Sequence, residues 1–213
     1  MSARDPDTRD APVVLLAPGA GAPSTSPWMR AWAERLAAIG SVEALDYAYV
    51  IEGRKSPDRL PVLVAAHRAA LERARERHGR DRPVVLAGKS MGGRVGCHLA
   101  CELAGDAGAP AALVCFGYPL VAAGSGKRRD AVLLALATPV LFVQGTRDPL
   151  CPLDDLAGVR RSMTAPSELF VVEGGDHSLV LRKKDEAATG RSQAEWDAAV
   201  LAAVRTFVAR HLP

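Results

Sequence analysis

The sequence predicts an α/β fold, in which about six mostly parallel strands form a sheet flanked by helices. Apolar runs of strand length alternate with helix-like stretches, and most runs are apolar at nearly every position, as in strands covered on both faces. The predicted strands cover residues 12–17, 42–46, 83–87, 111–116, 139–144 and 168–173, and the predicted helices cover about 26–38, 60–78, 91–104, 153–163 and 193–210. Such alternation is typical of a doubly wound sheet with right-handed crossovers.

A single domain accounts for the length of the chain. Its 213 residues are enough to bury a substantial core, and no internal repeat or low-complexity linker divides them. We expect residues 12–213 to form this domain and the polar segment 1–11 to be a disordered tail. The connection 117–138, between the fourth and fifth predicted strands, leaves no room for a lid domain. The sequence therefore predicts an open crevice formed by loops.

The third predicted strand runs directly into Gly88-Lys89-Ser90-Met91-Gly92, and a helix-like segment follows. Gly-x-Ser-x-Gly between a strand and a helix is the pattern of a nucleophile elbow, which predicts Ser90 as the nucleophile. The two glycines leave room for the tight turn that exposes the hydroxyl. A phosphate-binding P-loop is the alternative, but it requires a glycine five positions before Gly88, where Pro83 stands.

Two further polar residues follow buried strands later in the chain. Asp148 lies in the turn after the fifth predicted strand, and His177 lies in a glycine-rich loop after the sixth. The order serine, acid, histidine is that of the α/β-hydrolase fold. His177 would take the proton of Ser90 and return it to the leaving group, while Asp148 would hold the imidazole in the correct tautomer. Separately, the two residues are equally compatible with an ordinary turn and a solvated loop.

The loop after the first predicted strand is the expected partner of this elbow. An oxyanion hole needs the N–H of Met91, which follows the nucleophile, and a second N–H from another loop. Residues 18–23 are small and glycine-rich, and Ala20 or Gly21 is the expected second donor. A dinucleotide-binding loop is the alternative, but Ser24 stands where its third glycine belongs.

Five motifs together resemble a known family. They are Pro18-Gly19-Ala20-Gly21-Ala22-Pro23, Gly88-Lys89-Ser90-Met91-Gly92-Gly93-Arg94, Phe116-Gly117-Tyr118-Pro119-Leu120, Phe142-Val143-Gln144-Gly145-Thr146-Arg147-Asp148 and Gly175-Asp176-His177-Ser178. The chain resembles, from about residue 12 to its end, the small α/β-hydrolases related to dienelactone hydrolase, including the KANL and testis-expressed type proteins. The resemblance implies a compact hydrolase with the triad Ser90, Asp148 and His177. Pro18 departs from the pattern, because many α/β-hydrolases have histidine there.

Several residues near these motifs are candidates for contact with substrate. Trp28, Tyr118 and Leu150 could line the crevice, as could Met29 and Leu120, although each is equally compatible with the core. Arg94 and Arg147 stand beside catalytic motifs. They would either attract an acidic substrate or form internal salt bridges.

Composition and charge argue against several other functions. The formal net charge is +3, and the charges of both signs are interspersed, which does not favour nucleic-acid binding. The amino terminus is polar and has no apolar signal region, and the longest nearly apolar run, residues 131–143, is too short for a membrane span, so we expect a cytoplasmic protein. Cys97, His98 and Cys101 could suggest a metal site, but no second ligand pair follows, and core thiols are favoured. We expect no cofactor and no metal.

These observations lead to two functional hypotheses. The first is a serine hydrolase that cleaves a carboxylic ester or thioester of a small substrate through an acyl-enzyme. The alternative is a binding or scaffold protein that uses the same fold without catalysis. A ring-opening hydrolase of the dienelactone type is a further possibility within the first class, but those enzymes have a cysteine where this chain has Ser90.

Overall fold

The computed structural model describes residues 11–212, and its centre is one sheet of six parallel strands. The strands are β1 (Val13–Ala17), β2 (Ser41–Ala44), β3 (Val84–Lys89), β4 (Ala112–Phe116), β5 (Val140–Gly145) and β6 (Ser167–Val172). Their order across the sheet is β2-β1-β3-β4-β5-β6. Every residue of β1, β4 and β5 is buried, which explains why these strands are apolar along their whole length.

Helices cover both faces of the sheet. They are α1 (Pro27–Leu36), α2 (Ala48–Ile51), α3 (Leu60–His78), α4 (Met91–Glu102), α5 (Ala131–Leu134), α6 (Leu153–Ser162), α7 (Lys183–Thr189) and α8 (Gln193–His211). One apolar core lies between the sheet and helices α3 to α6, and a second lies between the opposite face and helices α1 and α8. The predicted fold class is confirmed by this arrangement.

The differences from the predicted elements concern short or exposed segments. Helices α2, α5 and α7 span only four to seven residues, too few for a helical period to show in the sequence. The edge strand β2 is half-buried or exposed along its length and ends at Ala44, before the predicted boundary. The predicted tail, apart from residue 11, lies outside the described residues. None of the described helices combines the length and hydropathy needed to cross a bilayer.

The topology brings the strand ends of interest to one edge of the sheet. From β1 the chain passes outward to β2 and then returns to place β3 on the other side of β1, so the winding reverses between β1 and β3. Binding crevices in open α/β sheets form outside the carboxyl ends of the strands at such a reversal. Ala17 pairs in register with Gly88, so the loop after β1 begins beside the Gly-x-Ser-x-Gly turn.

Candidate active site

Ser90 occupies the sharp turn between β3 and α4. Its backbone has φ 50° and ψ −112°, a conformation that side-chain-bearing residues rarely adopt, and Ser90 N–H donates to the carbonyl of Phe116 at 2.8 Å. The hydroxyl is held at the carboxyl edge of the sheet, directly before the first turn of α4. A strained residue that is fixed from both sides is a frequent feature of functional sites.

The glycines around Ser90 are required by close backbone packing. A Cβ atom on Gly88 would lie 2.3 Å from the nitrogen of Gly93, and one on Gly92 would lie 2.4 Å from the carbonyl oxygen of Ala17. Real Cβ atoms do not approach other atoms this closely. The motif therefore lets α4 begin against β3 and lets the chain leaving β1 pass directly over the start of the helix.

His177 and Asp148 complete a line of hydrogen bonds that starts at Ser90. The Nε2 atom of His177 lies 2.8 Å from Ser90 Oγ, and its Nδ1 atom lies 2.8 Å from Asp148 Oδ2. The Asp148 side chain is fully buried, and its second oxygen accepts from the N–H of Leu150 at 2.9 Å. The structure thus brings together all three residues of the predicted triad, with a buried carboxylate behind the imidazole.

Two more glycines allow the His177 loop to reach this position. Gly117 has φ 62°, and a Cβ atom there would lie 2.5 Å from the carbonyl oxygen of His177. A Cβ atom on Gly145 would lie 2.2 Å from the carbonyl oxygen of Gly175. The loops that follow β4, β5 and β6 therefore contact one another through backbone atoms, and this contact sets the height of the imidazole above the sheet.

Ser178, next to His177, is held from two sides. The indole N–H of Trp28 donates to its carbonyl at 2.8 Å, and the ammonium group of Lys89 donates to its hydroxyl at 2.9 Å. The same ammonium lies 5.3 Å from the centre of the Trp28 ring, within reach of a cation–π interaction. Burial lowers the pKa of Lys89, and the carboxylates of Asp176 and Asp148 oppose that shift. These contacts fix the loop that carries the imidazole.

Of the three predicted oxyanion donors, Met91 and Ala20 face the same pocket as Ser90. Met91 begins α4, so its N–H lies in the first turn, where the helix offers no backbone acceptor and the helix dipole is positive. Gly21 differs, because its N–H donates to the Tyr49 hydroxyl at 3.2 Å. The geometry therefore favours Ala20 over Gly21 as the second donor.

A pocket of about 340 Å³ opens beside Ser90. Its walls come from the loop after β1, the start of α3, the start of α4 and the long connection between β4 and β5. The lining residues are Ala20, Pro57, Asp58, Leu60, Leu63, Ser90, Met91, Arg94, Pro119, Ala123, Arg129 and Leu150. The volume suits a small ligand.

Only one of the three predicted lining residues belongs to this pocket. Leu150 lines it, whereas Trp28 borders a different depression on the far side of the His177 loop. Tyr118 is buried completely, and its hydroxyl donates to the carbonyl of Arg129. Met29 and Leu120 are likewise core residues. The expectation that Trp28 and Tyr118 line this pocket is corrected: Trp28 holds the His177 loop, and Tyr118 supports the β4–β5 connection.

The two arginines beside the motifs have different surroundings. Arg147 donates to the carbonyls of Gly174 and Val180 and lies 3.3 Å from the carboxylate of Asp185, so it is an internal structural residue. Arg94 lines the pocket, and its buried Nε atom has no hydrogen-bond partner among residues 11–212. The sequence left an internal salt bridge and a substrate contact open for each arginine. The structure makes Arg147 an internal structural residue and places Arg94 in the wall of the pocket.

None of the four cysteines lines the pocket beside Ser90. Cys97 and Cys115 are buried with their sulfur atoms 3.8 Å apart, and Cys101 is half-buried. Cys151 is buried as well, and burial raises its pKa to about 12, so its thiol is unreactive near neutral pH. Within residues 11–212, no three His, Cys, Asp or Glu side chains are grouped so that they could share a metal ion.

Sequence reasoning missed the wall formed by residues 57–63 and by Arg129. Residues 57–63 contain the start of α3, and nothing in their pattern indicates that this end faces the elbow. Arg129 stands in a run with Lys127 and Arg128, which is typical of a solvated surface. A pocket wall assembled from distant segments leaves no local signal in the sequence.

A larger cavity, about 540 Å³, lies at the opposite edge of the sheet. Arg75, Arg80 and Arg82 line it, but the first two bind Glu72 and the third donates to the carbonyl of Ala11. These arginines are already engaged in holding the amino-terminal edge together. We assign function to the smaller pocket because it contains Ser90.

The fold agrees with the comparison to known families. The family model for the alpha/beta hydrolase domain matches residues 10–209, so the chain belongs to that family. Hydrolase activity is the activity that this family supports.

Several solved structures have the same fold. A protein from Xanthomonas campestris, described as an α/β serine hydrolase without lid, is 18% identical, with 98% of this chain and 86% of that chain covered and a TM-score of 0.69. Dienelactone hydrolase from Anabaena variabilis is 19% identical, with 95% and 88% covered and a TM-score of 0.69. Est1E from Butyrivibrio proteoclasticus, solved with ferulic acid, is 16% identical, with 95% and 90% covered and a TM-score of 0.68. At these identities the likeness concerns the fold.

Proposed function

We propose that this protein is a serine hydrolase that cleaves a carboxylic ester or thioester of a small substrate through an acyl-enzyme. The observation that carries the proposal is the pair of 2.8 Å contacts that joins Ser90, His177 and Asp148 in one line. Ser90, at the end of these hydrogen bonds, lines an accessible pocket at the edge of the sheet where the winding reverses. Within the α/β-hydrolases, we place the chain with the KANL and testis-expressed type relatives on the strength of the five motifs.

In the first half-reaction, Ser90 Oγ attacks the carbonyl carbon while its proton passes to His177 Nε2. The carbonyl π bond opens, and the oxyanion is stabilised by the N–H groups of Met91 and Ala20 at the positive end of α4. The intermediate then collapses, the bond to the alcohol or thiol breaks, and the imidazolium returns its proton to the departing oxygen or sulfur.

The second half-reaction repeats these steps with water. Water adds to the acyl-enzyme carbonyl while His177 takes one of its protons, and the bond to Ser90 Oγ then breaks as the serine regains a proton. The products are the free carboxylic acid and the enzyme in its starting state. Asp148 orients the imidazole in both half-reactions and stabilises its charged form.

The shape of the site favours esters and thioesters over amides. Amine leaving groups are poor, and their expulsion requires tight positioning of the substrate. Here the pocket is small and partly open, and the β4–β5 connection contributes only the short helix α5 and an isolated bridge between Val121 and Arg128. Alcohols and thiols are better leaving groups than amines, so their expulsion requires less exact positioning of the substrate.

Matched serine variants test the proposal. We expect 4-nitrophenyl butyrate and the corresponding butyryl thioester to be hydrolysed by the wild type and Ser90→Ala to lose at least about a thousandfold in kcat. Ser162→Ala, the same change at an exposed position at the end of α6, is the control and should retain the wild-type rate. Folding of each variant is checked by circular dichroism. Equal turnover by folded Ser90→Ala and wild type would refute the proposal.

A further inference from the structure

Two arginines line the pocket beside Ser90 without an acidic partner. Arg94 and Arg129 both lie in its wall, and neither forms a salt bridge within residues 11–212. Most other buried or half-buried arginines near loops in this protein are engaged, as Arg147 is with Asp185. Two guanidinium groups that face one small cavity, without a counterion from the protein, indicate that the counterion comes with the ligand.

Arg94 is the better placed of the two. It lies one helical turn after Ser90 on α4, where its N–H donates to the Ser90 carbonyl at 3.1 Å. Its side chain is half-buried, and its Nε atom is fully buried and has no hydrogen-bond partner among the described residues. Burial lowers its pKa, and the positive charge of Arg129 adds to that shift. The protein therefore maintains an unfavourable pair of like charges at this place, and a bound anion would relieve it.

Arg129 faces the same cavity from the β4–β5 connection. Its backbone is fixed, since its N–H donates to the carbonyl of Leu120 and its carbonyl accepts from the Tyr118 hydroxyl. Its neighbour Arg128 binds the nearby carboxylates of Asp130 and Asp155, so within the described part of the chain Arg129 has no salt-bridge partner.

The acid in the pocket wall does not neutralise this pair. Asp58 forms its salt bridge with Arg54 at 2.7 Å and none with Arg94 or Arg129 within residues 11–212. Because Arg54 also binds Glu52, Asp58 keeps part of its negative charge. The rest of the wall includes Leu60, Leu63 and Leu150. A ligand that fits this surface has a short apolar part and one anionic end that reaches the arginines.

We propose that Arg94 and Arg129 bind a carboxylate of the substrate, so that the preferred substrates are esters or thioesters with a second, ionised carboxyl group a few carbons from the scissile bond. This inference rests on the proposed function, because it assigns the substrate class of the same site. Guanidinium groups bind carboxylates in charge-assisted, often bidentate hydrogen bonds. The single charge of a carboxylate also suits a wall that contains Asp58 better than the double charge of a phosphate does.

The test compares two esters that differ in one charge. Monomethyl glutarate carries a free carboxylate, and dimethyl glutarate is its neutral analogue of nearly the same size. We expect the wild type to prefer the monoanion by about tenfold or more in kcat/KM, a factor typical of one charged hydrogen bond. Arg94→Gln and Arg129→Gln should each reduce that preference severalfold, while Arg94→Lys should retain part of it because the charge remains.

The control removes a positive charge elsewhere. Arg68 on α3 pairs with Glu102 at the surface and does not line the pocket, so Arg68→Gln should keep the wild-type preference. A wild-type ratio near or below one, or a ratio unchanged in both Arg94→Gln and Arg129→Gln, would overturn the inference.

A binding readout does not depend on turnover of either ester. Glutarate should slow the labelling of Ser90 by a neutral fluorophosphonate in the wild type, and this protection should weaken in Arg94→Gln. No protection by glutarate, or stronger protection by glycerol phosphate, would overturn the carboxylate assignment. Failure of labelling itself would instead count against the proposed function, so the two failures are distinguishable.

Discussion

Replacement of His67 should change how the stability of this protein depends on pH. His67 lies on α3 and is completely buried, and neither ring nitrogen has a hydrogen-bond partner among residues 11–212. Its ring meets that of Tyr47 edge-on at 6.5 Å, and the Tyr47 hydroxyl is also unpartnered. Nothing nearby stabilises an imidazolium, and burial lowers the pKa of His67 from 6.5 to about 4.

The sign of the effect follows from proton binding. Between pH 6.5 and 4 the unfolded chain binds a proton at His67 and the folded protein does not, so acid favours unfolding. The contribution of His67 is complete above pH 6.5 and is lost progressively as the pH falls through this window. Linkage for a pKa change from 6.5 to about 4 gives a loss of about 2 kcal/mol in unfolding free energy between pH 7.5 and pH 5.

Urea unfolding of wild type, His67→Leu and His67→Gln at these two pH values measures the effect. Other groups titrate in the same range, so the relevant quantity is the difference between the wild type and each variant. Both variants lack the titrating ring and should lose about 2 kcal/mol less than the wild type on acidification. Equal losses in all three proteins would refute the assignment of a buried neutral imidazole.

Three further outcomes concern the site. Gly92→Ala should lower the free energy of unfolding by about 1–3 kcal/mol, because its Cβ would lie 2.4 Å from the carbonyl oxygen of Ala17. A thermal midpoint and a fluorophosphonate labelling rate equal to those of the wild type would contradict this. Asp148→Asn should fold normally yet lose on the order of a thousandfold or more in kcat, since the amide leaves the imidazole in the wrong tautomer; a loss below tenfold in steady-state assays would contradict it. Lys89→Met should lower kcat about three- to tenfold by loosening the His177 loop, because the ammonium group no longer holds the Ser178 hydroxyl. A kcat equal to that of the wild type would contradict this positioning role.

Local chemistry explains why so much of the site could be predicted from the sequence. The elbow requires glycines on both sides of Ser90, because α4 and the chain leaving β1 approach within van der Waals contact. The acid and the histidine each follow an apolar run, and parallel strands bring such positions to one edge. The strand pattern and the order of the residues were therefore sufficient to predict that Ser90, Asp148 and His177 lie together.

The residues that the sequence did not reveal depend on how distant segments meet. Tyr118 stands beside a site motif, yet its ring turns into the core and its hydroxyl holds the carbonyl of Arg129. Trp28 contacts the loop that carries His177 instead of the pocket. The direction in which a large side chain turns is decided by packing between elements, and the local periodicity of the sequence does not indicate it.

Intact-mass detection of fluorophosphonate labelling tests the central claim most directly, because it reports an activated serine whatever the substrate is. The wild type, Ser90→Ala and His177→Ala are compared after equal exposure, with folding checked by circular dichroism. The account predicts one adduct on the wild type, none on Ser90→Ala and a greatly slowed reaction of His177→Ala. An unlabelled, folded wild type would contradict it and favour a binding or scaffold role for this fold.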